Sequence, residues 1–427
     1  MRKLALLGGG SAYAPGLLQA LVDRGAELAL TEVRLYDLAP GRLEVVARLG
    51  AKLARAAGAP FDVHAVETLE AAVDGVDAVL NSTRPGGFAG RRLDETLPLE
   101  FDIPGQETVG PGGLLYALRS VPEALRVARA MQRQAPSAVL LNYTNPTNIV
   151  TQALVDAGFA DVLGLCDQSD EDLQALGVAL GRPGVPWTFA CAGLNHATWY
   201  SDVAFGGEPF RGLPADAPAE PPPWFDEEHR LRFAVARRMA ARCPGWWPNS
   251  YLAYYEAPAE LVACARRGGP RTDAIVARLD EYYAHFAQEA ARERPRLRLY
   301  RGSTGFGDLA VRVLTALGSP SPCPVVLNVP NRGAMPAFAE DTVVELPVLL
   351  GAAGRVPRAG GLPPAFKLLA GRLEAYQRAA ARAAASGEPD EVLEAMAANP
   401  LVPSRETAAA LLARARAVVG TVSAEVE

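Results

Sequence analysis

The sequence predicts an α/β protein: an N-terminal, Rossmann-like, doubly wound parallel sheet followed by a mixed α/β, mainly helical domain. Three observations predict it. Short apolar runs alternate with helical patterns over the first 160 or so residues, the first run stops at three consecutive glycines, and helical periodicity dominates beyond residue 226. Short strands alternating with helices build a parallel sheet covered on both faces.

Each element follows in order. Residues 3–7 (Lys-Leu-Ala-Leu-Leu) form the first strand, and the helical spacing of Leu17, Leu18, Ala20, Leu21 and Val22 predicts a helix after the glycines. Residues 32–37 alternate as a second strand ending in an acid, and an Ala-, Leu- and Arg-rich helix spans roughly 41–57. Runs at 77–81, 138–142 and 162–165 read as further buried strands. Residues 205–223, dense in Pro, Gly and Ala, read as a loop, and helices follow over 226–243, 249–297 and 363–418, interrupted by a strand at 324–329. The expected division is a dinucleotide-binding domain over 1–165 and, over 166–427, a mixed α/β domain whose helices also carry subunit contacts.

Bulk composition narrows the class. The chain has 427 residues, 49% hydrophobic and 21% charged, which suits a globular protein with a large core. A formal net charge of −6 with no Lys/Arg block argues against a nucleic acid or an anionic membrane surface as partner. Five cysteines without a repeated spacing argue against a disulfide framework and for a reducing compartment. The N-terminal apolar run is cut short by glycine before it reaches signal-peptide length, and no apolar stretch approaches the roughly 20 residues of a membrane span. A cytoplasmic protein is expected.

Five stretches carry candidate chemistry. Gly8-Gly9-Gly10-Ser11 follows strand one and opens a helix, so its backbone can approach a pyrophosphate while the helix offers free N–H groups. Tyr13 stands where the usual fingerprint has its last glycine. Asp37, at the end of strand two, is placed to accept from an adenosine ribose, and its charge disfavours a 2′-phosphate. Gly105–Gly113 surrounds Gln106 and Glu107; such a loop could set a carboxylate beside a ligand or be a structural Ω-loop. Asn145 follows a predicted strand at the ligand-binding edge of the sheet, and is also an ordinary turn former before Pro146. Cys166-Asp167 and Asn195-His196 both follow apolar runs; a buried thiol and a core histidine compete with a two-ligand site whose open positions would take substrate oxygens. Tyr251, Tyr254 and Tyr255 lie at helical spacing, which suits a core or interface; a tyrosine there becomes a general base only if a cation lowers its pKa from about 10.

Taken together these stretches resemble glycoside hydrolase family 4, the NAD- and metal-dependent glycosidases, over most of the chain. The matches run in order: Gly8–Ser11, the Arg84-Pro85-Gly86-Gly87 run through Arg91 to Gly105–Gly113, Asn145-Pro146, Cys166-Asp167, Asn195-His196, Tyr251, Arg271, and Asn328-Val329-Pro330-Asn331-Arg332-Gly333-Ala334. The resemblance implies a lactate/malate dehydrogenase-like nucleotide domain, NAD on Gly8, Gly9, Gly10, Ser11 and Asp37, and a divalent metal, Mn2+ by expectation, on Cys166 and His196. It implies Asp167 as the acid for the leaving oxygen, Tyr251 as the base at C2, and Glu107 as the group that makes that tyrosine more basic. Arg84, Arg91, Asn145 and Arg271 would hold a sugar phosphorylated at O6, since guanidinium forks match phosphate oxygens. The implied reaction oxidises C3, removes the C2 proton, eliminates the aglycone, adds water and returns the hydride. A homodimer or homotetramer is implied as well.

The anomer is open. Asp167 after the cysteine looks like the 6-phospho-α-glucosidases, whereas Arg-Pro-Gly-Gly-Phe-Ala-Gly-Arg looks like the 6-phospho-β-glucosidases, and the longer stretch favours β. Gln168-Ser169 stands where the family has a proline-containing turn. Two other classes compete: an NAD-dependent 2-hydroxy-acid dehydrogenase, supported by the N-terminal half alone, and a non-catalytic NAD sensor, disfavoured because every metal and tyrosine position holds a competent residue.

Overall fold

The computed structural model describes residues 2–213, 220–298 and 303–424. Six strands form the parallel half of one sheet: β1 (Lys3–Leu7), β2 (Glu32–Tyr36), β3 (Asp62–Ala65), β4 (Ala78–Asn81), β5 (Val139–Asn142) and β6 (Val162–Gly164), in the order β3-β2-β1-β4-β5-β6. This is the strand order of a dinucleotide-binding sheet, whose carboxyl ends form the ligand crevice. Alternate side chains serve opposite faces: Leu4 and Leu6 of β1 join one hydrophobic cluster, Ala5 and Leu7 another. The sheet therefore needs cover on both sides. One face carries helices Ala14–Leu28 and Ser303–Gly318, and the other carries Gly110–Gln134 together with C-terminal helices such as Lys367–Ser386.

The sheet does not stop at residue 165. Antiparallel strands extend it past β6: β7 (Trp187–Leu194), β8 (Ala197–Phe205), β9 (Glu208–Pro209), β10 (Trp247–Pro248), β11 (Cys323–Pro330), β12 (Val343–Gly351) and β13 (Gly354–Pro357). From β6 the order continues β11-β12-β7-β8-β10, with β13 beside β12 and β9 beside β8. β7, β8, β12 and β13 lie outside every strand expected from periodicity, and β8 and β9 trim the expected 205–223 loop, of which 214–219 fall outside the described residues. The expected helix over 249–297 breaks into a 3-10 turn and four helices between Ser250 and Ala290, because Pro258 and Gly269-Pro270 interrupt it. Among the described residues no helix is long and apolar enough to cross a membrane.

Candidate active site

The glycine turn is built for close approach. Gly8 has φ +80°, and a Cβ there would lie 2.7 Å from the Ser82 carbonyl oxygen, so only glycine fits. The Gly8 and Gly9 amides both donate to the Tyr36 carbonyl at 3.0 Å, which ties the turn to the end of β2. Asp37 Oδ2 accepts from the Gly10 amide and Oδ1 from the Ala39 amide, each at 2.9 Å. The Tyr283 hydroxyl, from helix Leu279–Ala290, donates to the Gly10 carbonyl at 2.6 Å and clamps the turn from the second half of the chain. Ser11 Oγ is buried with no hydrogen-bond partner among the described residues. An unsatisfied hydroxyl at the start of a helix, beside a turn that excludes side chains, fits a pyrophosphate oxygen.

Cys166 and His196 come together. Cys166 follows β6, and His196 occupies the two-residue turn between β7 and β8, where it holds φ +62°. The Cys166 Sγ and His196 Nε2 atoms are 3.5 Å apart, less than the sum of a metal–sulfur and a metal–nitrogen bond of roughly 2.3 and 2.0 Å, so both donors reach one ion. The other ring nitrogen has its own partner: Thr108 Oγ1 lies 2.9 Å from Nδ1 and donates to Gln106 Oε1 at 2.7 Å. With its proton committed to Gln106, the hydroxyl accepts from Nδ1–H, which leaves the Nε2 lone pair facing Cys166. Burial and the Arg232 cation push the imidazole down to about 3, so it is neutral and able to ligate. Burial, aided by the Glu345 and Asp167 carboxylates, holds the Cys166 thiol well above its ordinary range; a thiolate forms there when a cation offsets that cost. Among the described residues no group of three or more His, Cys, Asp or Glu converges. A cation on this pair would keep positions open for substrate oxygens.

Tyr251 is stacked on His196, with centroids 3.8 Å apart and planes within 9°, and the Arg232 guanidinium carbon sits 3.9 Å from the same centroid. Two groups this close to one ring must lie on opposite faces, so the phenol is sandwiched. Burial raises its pKa to about 12, against the opposing charges of Arg232 and Arg271.

Glu107 is the hub of the arginines. It ion-pairs with Arg84 and meets Arg91 Nη1 at 3.1 Å, and although burial opposes ionisation, these cations and Arg271 draw its pKa down to about 2. Arg91 Nε also donates to Glu95 Oε1 at 2.7 Å, whose Oε2 accepts from the Thr272 amide at 2.8 Å and so fixes the start of helix Arg271–Val276. Arg84, Arg91, Glu107 and Arg271 thus form one connected group. No hydrogen bond joins Glu107 to Tyr251 among the described residues.

Asp167 precedes helix Gln168–Ala179, and burial with Glu171 and Asp170 nearby raises it to about 7. Asn145 follows β5 before a cis bond to Pro146, and its Oδ1 accepts from Thr147 Oγ1 at 3.0 Å. Thr108, Arg232 and Tyr283 were not singled out by the sequence. Thr108 sits inside the loop already chosen for Glu107, so its signal was adjacency; Arg232 and Tyr283 lie on plain amphipathic helices and only folding brings them to the site.

The model for "Family 4 glycosyl hydrolase" matches residues 3–173, and that for "Family 4 glycosyl hydrolase C-terminal domain" matches residues 191–402. The chain is 28% identical over 422 residues to the 6-phospho-beta-glucosidase of Escherichia coli, covering 96% of this chain and 94% of that one. Its fold superposes with a TM-score of 0.86 on a 6-phospho-alpha-glucosidase from gut microorganisms in complex with NAD and Mn2+, at 26% identity and 97% coverage of both chains. The 6-phospho-beta glucosidase of Thermotoga maritima, solved with manganese, NAD+ and glucose-6-phosphate, shares the fold at a TM-score of 0.82 and 22% identity, covering 96% of this chain and 97% of that one.

Proposed function

This chain belongs to glycosyl hydrolase family 4, and on that premise we propose that it is a cytoplasmic 6-phosphoglucosidase, acting on β-linked substrates as a homodimer or homotetramer. The observation that carries the reading is the Cys166–His196 pair, 3.5 Å apart, with Tyr251 stacked on the imidazole. NAD, when bound, supplies a reversible hydride acceptor for C3, and Mn2+ supplies an electrophile for the sugar oxygens.

The chain's own residues divide the remaining work. Gly8, Gly9, Gly10, Ser11 and Asp37 hold the dinucleotide, and Cys166 and His196 hold the cation. Arg84, Arg91 and Arg271, ordered by Glu107 and Glu95, orient the 6-phosphate with Asn145. Tyr251 accepts the C2 proton; its sandwich between His196 and Arg232 fixes the ring, and the arginines and the cation oppose the effect of burial on its pKa. Glu107 offsets the charge of the arginines around that tyrosine and so keeps it more basic than they alone would leave it. Asp167, raised towards neutrality, delivers a proton to the leaving oxygen. We further propose a division at residue 165 into a NAD-binding part over 1–165 and a metal- and substrate-binding part over 166–427, to whose substrate site the first part lends Arg84, Arg91, Glu107 and Asn145, with the sheet continuous across the boundary.

The test is a panel of p-nitrophenyl α- and β-glucoside 6-phosphates assayed with and without NAD+ and Mn2+. Faster release from the β-anomer, lost on omitting either cofactor, is expected; turnover undiminished after cofactor stripping and chelation overturns the reading. Asp167 directly after Cys166 favours a second reading, a 6-phospho-α-glucosidase, which faster α-release would establish. Net accumulation of NADH would favour a dehydrogenase instead.

A further inference from the structure

The Asn328–Ala334 stretch has no role in the proposed chemistry, yet its first residue leads to the metal pair. Asn328, fully buried in β11, donates through Nδ2 to Glu345 Oε1 at 3.1 Å. Glu345 is a carboxylate in β12 with 2% exposure, and no arginine, lysine or histidine forms an ion pair with it among the described residues. The same Oε1 accepts from Asn195 Nδ2 at 2.8 Å. Burial raises the carboxyl to about 7, while the side chains of Asn195, Asn328 and Thr198 all oppose that rise by hydrogen bonding. Three neutral donors converge on one buried acid.

Asn195 and Thr198 flank His196 in sequence, and Asn328 lies on the strand beside the one that leads to Cys166. Asn195 is the other residue of the β7–β8 turn, next to His196, whose left-handed backbone needs support. Asn328 pairs in register with Gly164 on one side and with Glu345 on the other, and Gly164 lies two residues before Cys166. Thr198 Oγ1 accepts from Asn249 Nδ2 at 3.2 Å, and Asn249 Oδ1 accepts from the Tyr251 amide at 3.0 Å. The segment bearing His196 therefore bonds to this carboxylate directly, that bearing Cys166 is linked to it through β11, and that bearing Tyr251 through Asn249 and Thr198. A buried carboxylate is costly, and among the described residues the side chains that hydrogen-bond to this one are Asn195, Asn328 and Thr198.

We infer that Glu345 is a positioning residue that sets the spacing of the Cys166–His196 pair and the seat of Tyr251 through Asn195, Asn328 and Thr198. The inference rests on the metal centre proposed above. It differs from a plain core contact in what it controls: loss of the carboxylate loosens metal binding ahead of the dinucleotide turn, which lies across the sheet on β1 and β2.

The test compares the wild type with Glu345→Gln and Asn195→Ala as purified full-length proteins. Mn2+ affinity is titrated by electron paramagnetic resonance of the free ion, and NAD+ affinity by calorimetry on the same samples. Outer partners of metal ligands typically govern about 10–100-fold in metal affinity. We expect a loss in that range for both variants, with NAD+ affinity within about twofold of wild type. Mn2+ affinity unchanged in a folded variant, or Mn2+ and NAD+ affinities falling together, overturns the inference, and Asn195→Ala decides alone if Glu345→Gln does not fold. Because the readout is binding, failure of the 6-phosphoglucoside assay leaves this comparison able to decide.

Discussion

Glu107 gathers Arg84 and Arg91 onto one carboxylate that is nearly out of water, and its depressed pKa carries a stability consequence. A carboxyl whose folded pKa lies below its unfolded value stabilises the fold fully above the unfolded value of about 4.3 and progressively less as pH falls through about 2. Glu107→Gln is therefore expected to flatten the dependence of Tm on pH between about 4.5 and 2. At pH 7 it should cost roughly 3 kcal/mol, near the low end for breaking a buried pair, because Glu95 still holds Arg91. A melting curve series across that range checks both. Cys166→Ala removes one of the two proposed donors; Mn2+ binding should fall by about 100-fold with NAD+ affinity unchanged, since the dinucleotide turn is held by Asp37 and Tyr283.

At the scale of elements, the β7–β8 hairpin carries His196 on a turn with no slack. Gly193 has φ +149°, and a Cβ there would lie 2.4 Å from the Ala197 carbonyl oxygen, a backbone atom that cannot swing away. Gly193→Ala should destabilise by about 2–3 kcal/mol and weaken Mn2+ together with Tm, measured by denaturant titration and metal titration. These elements also show what was legible beforehand. β1, β2, β4, β5, β6 and β11 follow apolar runs bounded by glycine, proline or acid, so their periodicity was readable to within a residue or two. β12 holds a run as apolar as any of these and was not expected as a strand; Pro347 interrupts it, and its pairing with β7 and β11 is decided far away in sequence. Glu345 was invisible for the same reason: one acid inside an apolar run reads as an interruption until its asparagine partners arrive from other strands. Candidates that sit in one contiguous motif, Gly8–Ser11 or Cys166-Asp167, are legible as candidates in the sequence; Arg232, Thr108 and Tyr283, defined by contacts across the fold, are not.

The molecule as a whole joins its two halves through one sheet and through hydrophobic clusters that mix residues from both. Leu4 and Leu6 share a cluster with Leu327 and Leu346, while Ala5 and Leu7 share one with Tyr376 and Ala380. Unfolding of either half would expose the other, so calorimetry should record one cooperative transition rather than two. NAD+ at 100 times its Kd should raise the unfolding free energy by about 2.7 kcal/mol, since the turn that holds it exists only in the folded state. Tyr283→Phe, which frees the Gly10 carbonyl, should weaken NAD+ about fivefold for the loss of one hydrogen bond, read by calorimetry.

The account turns on a proton leaving C2 during a reaction that is hydrolytic overall. Hydrolysing p-nitrophenyl β-glucoside 6-phosphate in D2O with NAD+ and Mn2+, and reading the glucose 6-phosphate product by proton NMR, tests this directly. Deuterium at C2 is predicted, because Tyr251, as the proposed base, would exchange its proton with solvent between removing and returning it. Full retention of protium at C2 during cofactor-dependent turnover would contradict the account.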